Sequence, residues 1–223
     1  MDGQRGFQDD LAHDAIASGD LVLCDDNLVR PIWAAKEPLL RNYYDHEWGV
    51  PIYTESGVLE RICLEGFQSG LSWATILRKR RAFREAFSGF NADVVADYTD
   101  GDVERLVANE HIIRHRGKIR AAIANARATI ALRDEGGLAA HVWSFQPKRT
   151  PCPRYLREIP TQSPESVALS KDLHRRGFRF VGPTTMFALM EAIGMVDTHL
   201  LGSPRRGTSG LFDKDGYRLS PRD

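Results

Sequence analysis

A chain of 223 residues is long enough to bury a real core in one or two domains. Its three cysteines, Cys24, Cys63 and Cys152, follow no short pairing pattern, which argues against a disulfide framework, and no apolar run approaches the roughly 20 residues of a membrane span. With no signal-peptide pattern at its start, the chain is expected to be a soluble, monomeric, cytoplasmic protein with no membrane partner. The formal charge of zero conceals an asymmetry: seven of the 30 acids but one of the 30 bases fall in residues 1–28, leaving 29 bases against 23 acids in the rest. A mildly basic body permits a polyanionic partner without requiring one.

Residues 1–28 read as an acidic extension with two short apolar patches, at 12–17 and 21–23, and are expected to be loose, with one helix at most, and either packed on the body or trailing from it. Residues 38–48 look helical, with Pro38 at the start. Trp33, Tyr43, Tyr44 and Trp48 put four large aromatics within sixteen positions. Such a group fills a core or, because tyrosine and tryptophan each keep a polar atom in need of a partner, lines a ligand-bearing pocket. A helix over 54–69 sets Leu59, Ile62, Cys63 and Phe67 on one face. Glu65 sits beside that face, where a carboxylate is costly unless it is paired or lies at the exposed edge. After Gly70 comes an amphipathic helix carrying Trp73, Ile76, Leu77, Phe83 and Phe87, its arginines on the solvated side. Asn91 and Asp100 are candidate N-caps for two short helices at 91–96 and 100–107.

An alanine-rich helix from about Lys118 has strong intrinsic propensity. Arg114, His115, Arg116 and Lys118 cluster at its start, where cations oppose the helix dipole; an anionic partner or plain solvation accounts for them. A short helix at 138–146 carries Trp143 and Phe145. Residues 147–164, with five prolines, read as an extended connection. Leu169, Leu173 and Phe178 mark the apolar side of a further helix that Gly177 ends; Gly182 and Pro183 open the next. A glycine-flanked turn at a helix N-terminus presents free backbone N–H groups and suits a phosphate, and Arg175, Arg176 and Arg179 add charge there. An ordinary helix–turn–helix corner is the competing reading. Residues 203–223, rich in Gly, Pro, Ser and Arg, are expected to be a flexible tail. No convincing strand, repeat, Walker loop, nucleotide fingerprint, nucleophile elbow or Cys-x-x-Cys pair occurs. The expectation is an all-α protein of many short helices in two lobes with a cleft: the extension at 1–28, a main domain at 29–202 with the hairpin at about 169–197, and the tail.

Five blocks occur in a recognisable order: residues 44–51 (YDHEWGVP), 62–66 with 70–73 (ICLEG, GLSW), 112–119 (IIRHRGKI), 142–145 (VWSF) and 175–182 (RRGFRFVG). In these blocks the chain from about 28 to 202 resembles the DNA-3-methyladenine glycosylase I family, a branch of the helix-hairpin-helix Gly/Pro-Asp superfamily. The resemblance implies the helix-hairpin-helix DNA glycosylase fold and hydrolysis of the N-glycosidic bond of 3-methyladenine in alkylated double-stranded DNA. An enzyme of this kind takes the base out of the stack into a pocket. The methylated adenine is cationic and already a good leaving group, and an electron-rich aromatic box attracts a cation.

By position in the blocks, the resemblance implies that Trp73 stacks on the flipped base, Trp33 and Trp48 line the pocket, and Glu65 with Tyr43 hydrogen-bonds the adenine edge. Leu71 would sit near the gap left in the duplex. Gly177, Val181 and Gly182, with Thr184 and Thr185, would hold phosphates, and Arg114 and Lys118 would add cationic contacts. Family members bind zinc through two Cys and two His. The matching positions here hold Pro31, Tyr44, His199 and Ser203, of which only His199 can ligate, and structural zinc normally takes four ligands. No zinc and no other cofactor is therefore expected. Asp197 stands where this branch commonly has Asn and the wider superfamily a catalytic Asp; a helix N-cap is the alternative role. Thr184 replaces the lysine of strand-cleaving relatives, and the iron–sulfur cysteine set is missing, which favours a monofunctional enzyme. A non-catalytic reader of damaged DNA, or a glycosylase with a different alkylated-base preference, is the alternative.

Overall fold

The protein is described by a computed structural model covering residues 2–220, with side chains from residue 10 onward. Among the described residues it is helical apart from one two-stranded hairpin, which agrees with the all-α expectation. The chain divides into two compact units, each assembled from separated stretches: Met1–Pro51, Pro147–Thr161 and Glu191–Asp223 form the first, Ile52–Gln146 and Gln162–Met190 the second.

The first unit begins with α1 (Asp2–Ala17) and a hairpin of β1 (Leu21–Leu23) and β2 (Val29–Pro31), paired antiparallel with Leu21 opposite Pro31. Sequence reading gave no strand here because each is only three residues long, too short for alternation to show. Ala15, Leu21 and Leu200 form a small core, flanked by Ile16, Val29, Leu156 and Ile159. The acidic stretch is thus packed onto the body. Its charges have a use there: buried Arg30 forks between Asp26 (2.7 and 2.8 Å) and Asp45 (2.6–3.1 Å), and Arg41 meets Asp25 at 2.7 Å. The Arg30 guanidinium holds the Asp26 carboxyl well below the usual carboxylate range. A four-residue turn of helix, α2 (Ile32–Ala35), leads to α3 (Pro38–His46), which opens on proline as expected.

Residues 203–220, expected to be flexible, are instead tied down. Thr150 donates its N–H to Gly216 O (2.8 Å) and Arg218 donates to Lys148 O (2.9 Å), so the tail adds backbone pairing to the proline-rich connection. Arg149 lies over the Tyr217 ring at 4.9 Å, and Phe212 is buried. Composition alone pointed to disorder because these backbone partners are far apart in sequence, where no local signal links them.

The second unit is built on α4 (Glu55–Gln68), in which every residue from Val58 to Phe67 is buried. A helix buried on all sides has to be surrounded. Against it pack α5 (Trp73–Ala86), α8 (Arg116–Ala131) and α9 (Gly137–Trp143); α6 (Ala92–Ala96) and α7 (Asp100–Ala108) pack on α8, and α10 (Pro164–Arg175) and the start of α11 (Pro183–Ala192) belong to the same unit. Phe67, Phe83, Phe87 and Phe90 form a run of ring contacts with centroids 4.6–6.0 Å apart. Ser72, Asn91 and Thr99 cap α5, α6 and α7. Asp100, expected to cap α7, is its first residue; Thr99 takes the role in a reciprocal box with Asp102. No described helix is long and apolar enough to cross a membrane.

In the first unit Gly194 has φ +71°, and a Cβ there would lie 2.4 Å from Gly49 O. Gly194→Ala therefore meets both a left-handed backbone and a carbonyl. It is expected to cost about 2–4 kcal/mol in urea unfolding, against well under 1 kcal/mol for an alanine at open Gly101.

Candidate functional site

In the first unit the aromatic residues singled out from sequence do come together. Trp33 meets Tyr44 and Trp48 edge-on at 5.5 and 5.6 Å, and Tyr44 stacks on Trp48 at 5.8 Å. His199 closes the group, 4.5 Å from Trp48 and 5.4 Å from Tyr44. Tyr44 is fully buried and its hydroxyl shares a 2.6 Å hydrogen bond with Ser203 Oγ, while Trp33 and Trp48 remain half-buried. Burial pushes the Tyr44 phenol well above its usual range. Tyr43, the neighbour of Tyr44 on α3, is buried as well.

Asp197 is bonded to His199 of this group and caps no helix, since no helix follows it among the described residues. Its Oδ1 accepts from the backbone N–H of His199 (3.0 Å) and from His199 Nδ1 (2.7 Å), and its Oδ2 accepts from Gly207 N (2.7 Å). Its backbone is clasped by Thr150, whose Oγ1 accepts from Asp197 N and donates to Asp197 O. Burial alone would raise the Asp197 carboxyl, but His199, Arg206 and the Gly207 N–H together hold it below the usual range. Burial lowers the His199 imidazole against the pull of Asp197. The two side chains share one buried hydrogen bond, and His199 Nε2 has no hydrogen-bond partner among the described residues.

In the second unit Glu65 is only 6% exposed, in the last turns of α4, so it belongs to the buried run and not to the helix edge. Gly66 follows it; a Cβ there would stand 3.1 Å from the Cβ of Phe180. The chain then turns at Gly70 (φ +80°), places Leu71 at the surface with 41% exposure, and enters α5 at half-buried Trp73. Lys118, expected among the DNA-contacting cations, is 7% exposed. Its ammonium donates to Phe67 O (2.9 Å) and Ser69 O (2.6 Å), satisfying carbonyls at the end of α4 where a cation suits the dipole. The rest of the basic cluster divides likewise. His115 caps α8 through Nδ1, and Arg116 is ion-paired with Glu104. Arg114 is exposed.

Between α10 and α11 the hairpin has the expected form. Gly177 turns at φ +98°, Phe178 and Val181 are buried, Gly182 is exposed, and Thr184 and Thr185 occupy the first turn of α11. The first helical bond runs from Met186 N to Gly182 O, so the amides before it stand outside the helical ladder. Phe180 was not anticipated: it takes φ +56°, rare for a bulky residue, and remains 40% exposed. Arg175 and Arg176 are ion-paired with Asp172, and Arg176 also with Glu135, so they are less available to a ligand than their charge implied. Asn125, which sequence reading passed over, donates from Nδ2 to Arg179 O (3.2 Å) and accepts Arg179 N–H at Oδ1 (2.7 Å). Its one sequence signal is a lone amide inside an alanine-rich helix.

Residues 33–206 match the model of the methyladenine glycosylase family. The chain belongs to that family. DNA-3-methyladenine glycosylase 1 of Escherichia coli K12 is 47% identical over 174 residues, 76% of this chain and 92% of that protein. DNA-3-methyladenine glycosylase of Haemophilus influenzae is 41% identical over 176 residues, 77% and 95% of the two chains. A crystal structure of 3-methyladenine DNA glycosylase I superposes with a TM-score of 0.76 at 44% identity, covering 78% of this chain and 98% of that one. The structure of 3-methyladenine DNA glycosylase I from Staphylococcus aureus, which concerns recognition of 3-methyladenine, superposes at 0.74 with 34% identity over 77% of this chain and 93% of that one. The methyladenine glycosylase match leaves out α1, β1 and β2, so the packed acidic extension lies outside what the family model covers.

Glu191, at the end of α11, accepts the Thr198 hydroxyl at 2.6 Å, and desolvation pushes its carboxyl up to about 7. A carboxyl raised in the fold above its unfolded value of 4.5 stabilises the native state below that value, and the contribution is lost as pH rises through about 7. Glu191→Gln keeps the acceptor and removes the titration. Its melting temperature relative to the unaltered protein is expected to be higher at pH 8 than at pH 5; a difference independent of pH would contradict the assignment.

Proposed function

We propose that this protein is a DNA-3-methyladenine glycosylase that excises the cationic base from alkylated duplex DNA. The observation that carries the reading is the family match over residues 33–206, with 47% identity across 92% of the Escherichia coli enzyme. In the reaction the N-glycosidic bond breaks, its electron pair neutralises the positive charge on the departing 3-methyladenine, and water adds to C1′ and loses a proton. Because the leaving group is already cationic, the protein need only select it and stabilise the developing sugar cation. Trp73 stacks on the flipped base and buried Glu65 accepts hydrogen bonds from its edge. The electron-rich faces of Trp33 and Trp48 favour a cation, and Tyr43 adds a polar contact. Leu71, exposed after the Gly70 turn, fills the gap in the duplex. The hairpin amides at Val181 and Gly182, with those of Thr184 and Thr185, take phosphates at the start of α11, and Gly177, whose N–H is bonded to His174 O at 3.1 Å, shapes the turn that presents them. Exposed Arg114 adds charge.

For Asp197 the hydrogen bonds favour a structural role, since both carboxylate oxygens already hold N–H groups of His199 and Gly207. Asp197→Asn is expected to lose about 2 kcal/mol of stability with excision per folded molecule within about threefold. A tenfold or greater loss in a folded variant would restore the catalytic assignment. The zinc positions implied by the family do not fit the ion. Pro31 has no donor atom, the Tyr44 and Ser203 hydroxyls bond each other, and His199 alone offers a ligating atom. No cluster of three or more His, Cys, Asp or Glu side chains able to hold a metal occurs among the described residues. The Tyr44–Ser203 hydrogen bond stands in for the metal link. Elemental analysis of purified protein is expected to give no stoichiometric zinc, and a strong chelator to leave the melting temperature unchanged; one zinc per chain would refute this.

Incubation with methylated duplex DNA and chromatography of the released bases tests the activity. Release of 3-methyladenine is expected, with Glu65→Gln and Trp73→Ala each lowering the rate about tenfold or more. No release above the spontaneous background would sink the function, and full activity in both variants would reject the base-recognition roles.

A further inference from the structure

The two loops given DNA contacts above, the Gly70–Leu71 turn and the hairpin, are both held by one helix. On α8, Lys118 and Asn125 are seven residues apart, two helical turns, so their side chains leave the same face about 10 Å apart along the axis. Both are buried. Lys118 donates to Phe67 O and Ser69 O, fixing the end of α4 and the start of the turn that presents Leu71. Asn125 makes a two-point bond to the backbone of Arg179, accepting its N–H and donating to its C=O, in the middle of the hairpin. A backbone residue clasped on both sides has little freedom, and this one precedes Phe180, whose left-handed φ must be imposed by its surroundings. Gly66 gives Phe180 the room it needs. Cys63, Gly66, Lys118, Asn125, Arg179 and their neighbours line a void of about 10 Å³, at the lower limit for a water molecule, so these groups are closely packed.

We infer that Lys118 and Asn125 are positioning residues: Asn125 sets the hairpin that grips phosphate, and Lys118 sets the Gly70–Leu71 turn and, through the end of α4, Glu65. The assignment rests on the function proposed above. It gives the two residues different kinetic signatures. The hairpin acts when DNA is bound, so losing Asn125 weakens affinity. The Leu71 turn acts when the base leaves the stack, so losing Lys118 slows the committed step.

The test measures single-turnover excision from a methylated duplex and affinity for a duplex carrying a central tetrahydrofuran abasic site, with melting curves and circular dichroism to fix the folded fraction. Asn125→Ala is expected to weaken duplex binding about tenfold, with the rate at saturating DNA within about twofold of the unaltered protein. Asn125→Asp, nearly isosteric, keeps the acceptor for Arg179 N–H but sets an oxygen against Arg179 O, and is expected to show the same affinity defect if Asn125→Ala folds poorly. Lys118→Met is expected to lower the saturated rate about tenfold with affinity little changed, and Lys118→Arg to recover most of it. Wild-type affinity and rate per folded molecule in the variants, or losses that follow only the folded fraction, overturn the inference. An unaltered protein that releases no 3-methyladenine overturns the function itself, and is told apart because it fails before any substitution is made.

Discussion

The hairpin loop is held in place by a buried amide. Asn125 pairs with the N–H and the C=O of Arg179, and the loop's neighbours depend on that bond being made. Gly177 and Gly182 are often sufficient to explain such a turn, since glycine permits the backbone angles. Permission is not selection, however, because a flexible loop loses entropy for every residue it orders on binding. Here Phe178 and Val181 are buried on either side, Arg179 is clasped, and Phe180 is forced to a positive φ. The conformation of the loop before α11 is therefore set by contacts within the fold.

The same logic separates charges that meet a ligand from charges that build the fold. Arginine and lysine are dense around α8 and the hairpin, and density alone suggests a polyanion surface. Most of these cations have internal partners: Arg116 with Glu104, Arg133 with Glu55 and Asp93, Arg175 and Arg176 with Asp172, and Lys118 with two carbonyls. Burial alone would raise Asp172, and its arginine and histidine partners instead hold it below the usual carboxylate range. Exposed ion pairs of this type contribute little each, and they can exchange a carboxylate for a phosphate at modest cost. The buried ammonium of Lys118 cannot exchange, since leaving its carbonyls unpaired costs the desolvation of each group.

What could be read from sequence follows the range of the interactions involved. The helices around α4, α5 and α8 were legible because apolar spacing and caps act within a few residues: Asn91 and the Gly177 stop both fall where local chemistry put them. The aromatic cluster was legible through its density: Trp33, Tyr44 and Trp48 do meet, but His199, which joins them, lies far along the chain and carried no such signal. The ordered tail and the partners of Asp197 were not legible, and the packing of the extension was left open. Each depends on partners such as Thr150 with Gly216, Arg30 with Asp45 and Asp197 with Gly207, and no periodicity marks pairs of that kind. Thr99 capping α7 in place of Asp100 is a near miss of a local sort, since both residue types favour the position.

Polar groups in the interior of the first unit join stretches of chain that are far apart in sequence. A zinc site closes a loop by bonding side chains that are distant in sequence, and its removal leaves polar ligands in need of partners. In this unit hydrogen bonds join positions equally distant in sequence. Tyr44 and Ser203 bond through their hydroxyls across 159 positions, and Asp197 gathers Gly207, His199 and Thr150 around one carboxylate and its backbone. The residues past Ser203 then pair with the proline-rich stretch from Lys148 to Thr150. Each link is worth about 1 kcal/mol alone, far less than a structural metal site. They act on the same few segments, so each ordered residue reduces the entropy cost of the next. That cooperativity explains why the acidic N-terminal stretch is folded onto the body: Arg30 and Arg41 find their carboxylates in Asp25 and Asp26, and α1 meets the chain at Gly202, just before Ser203.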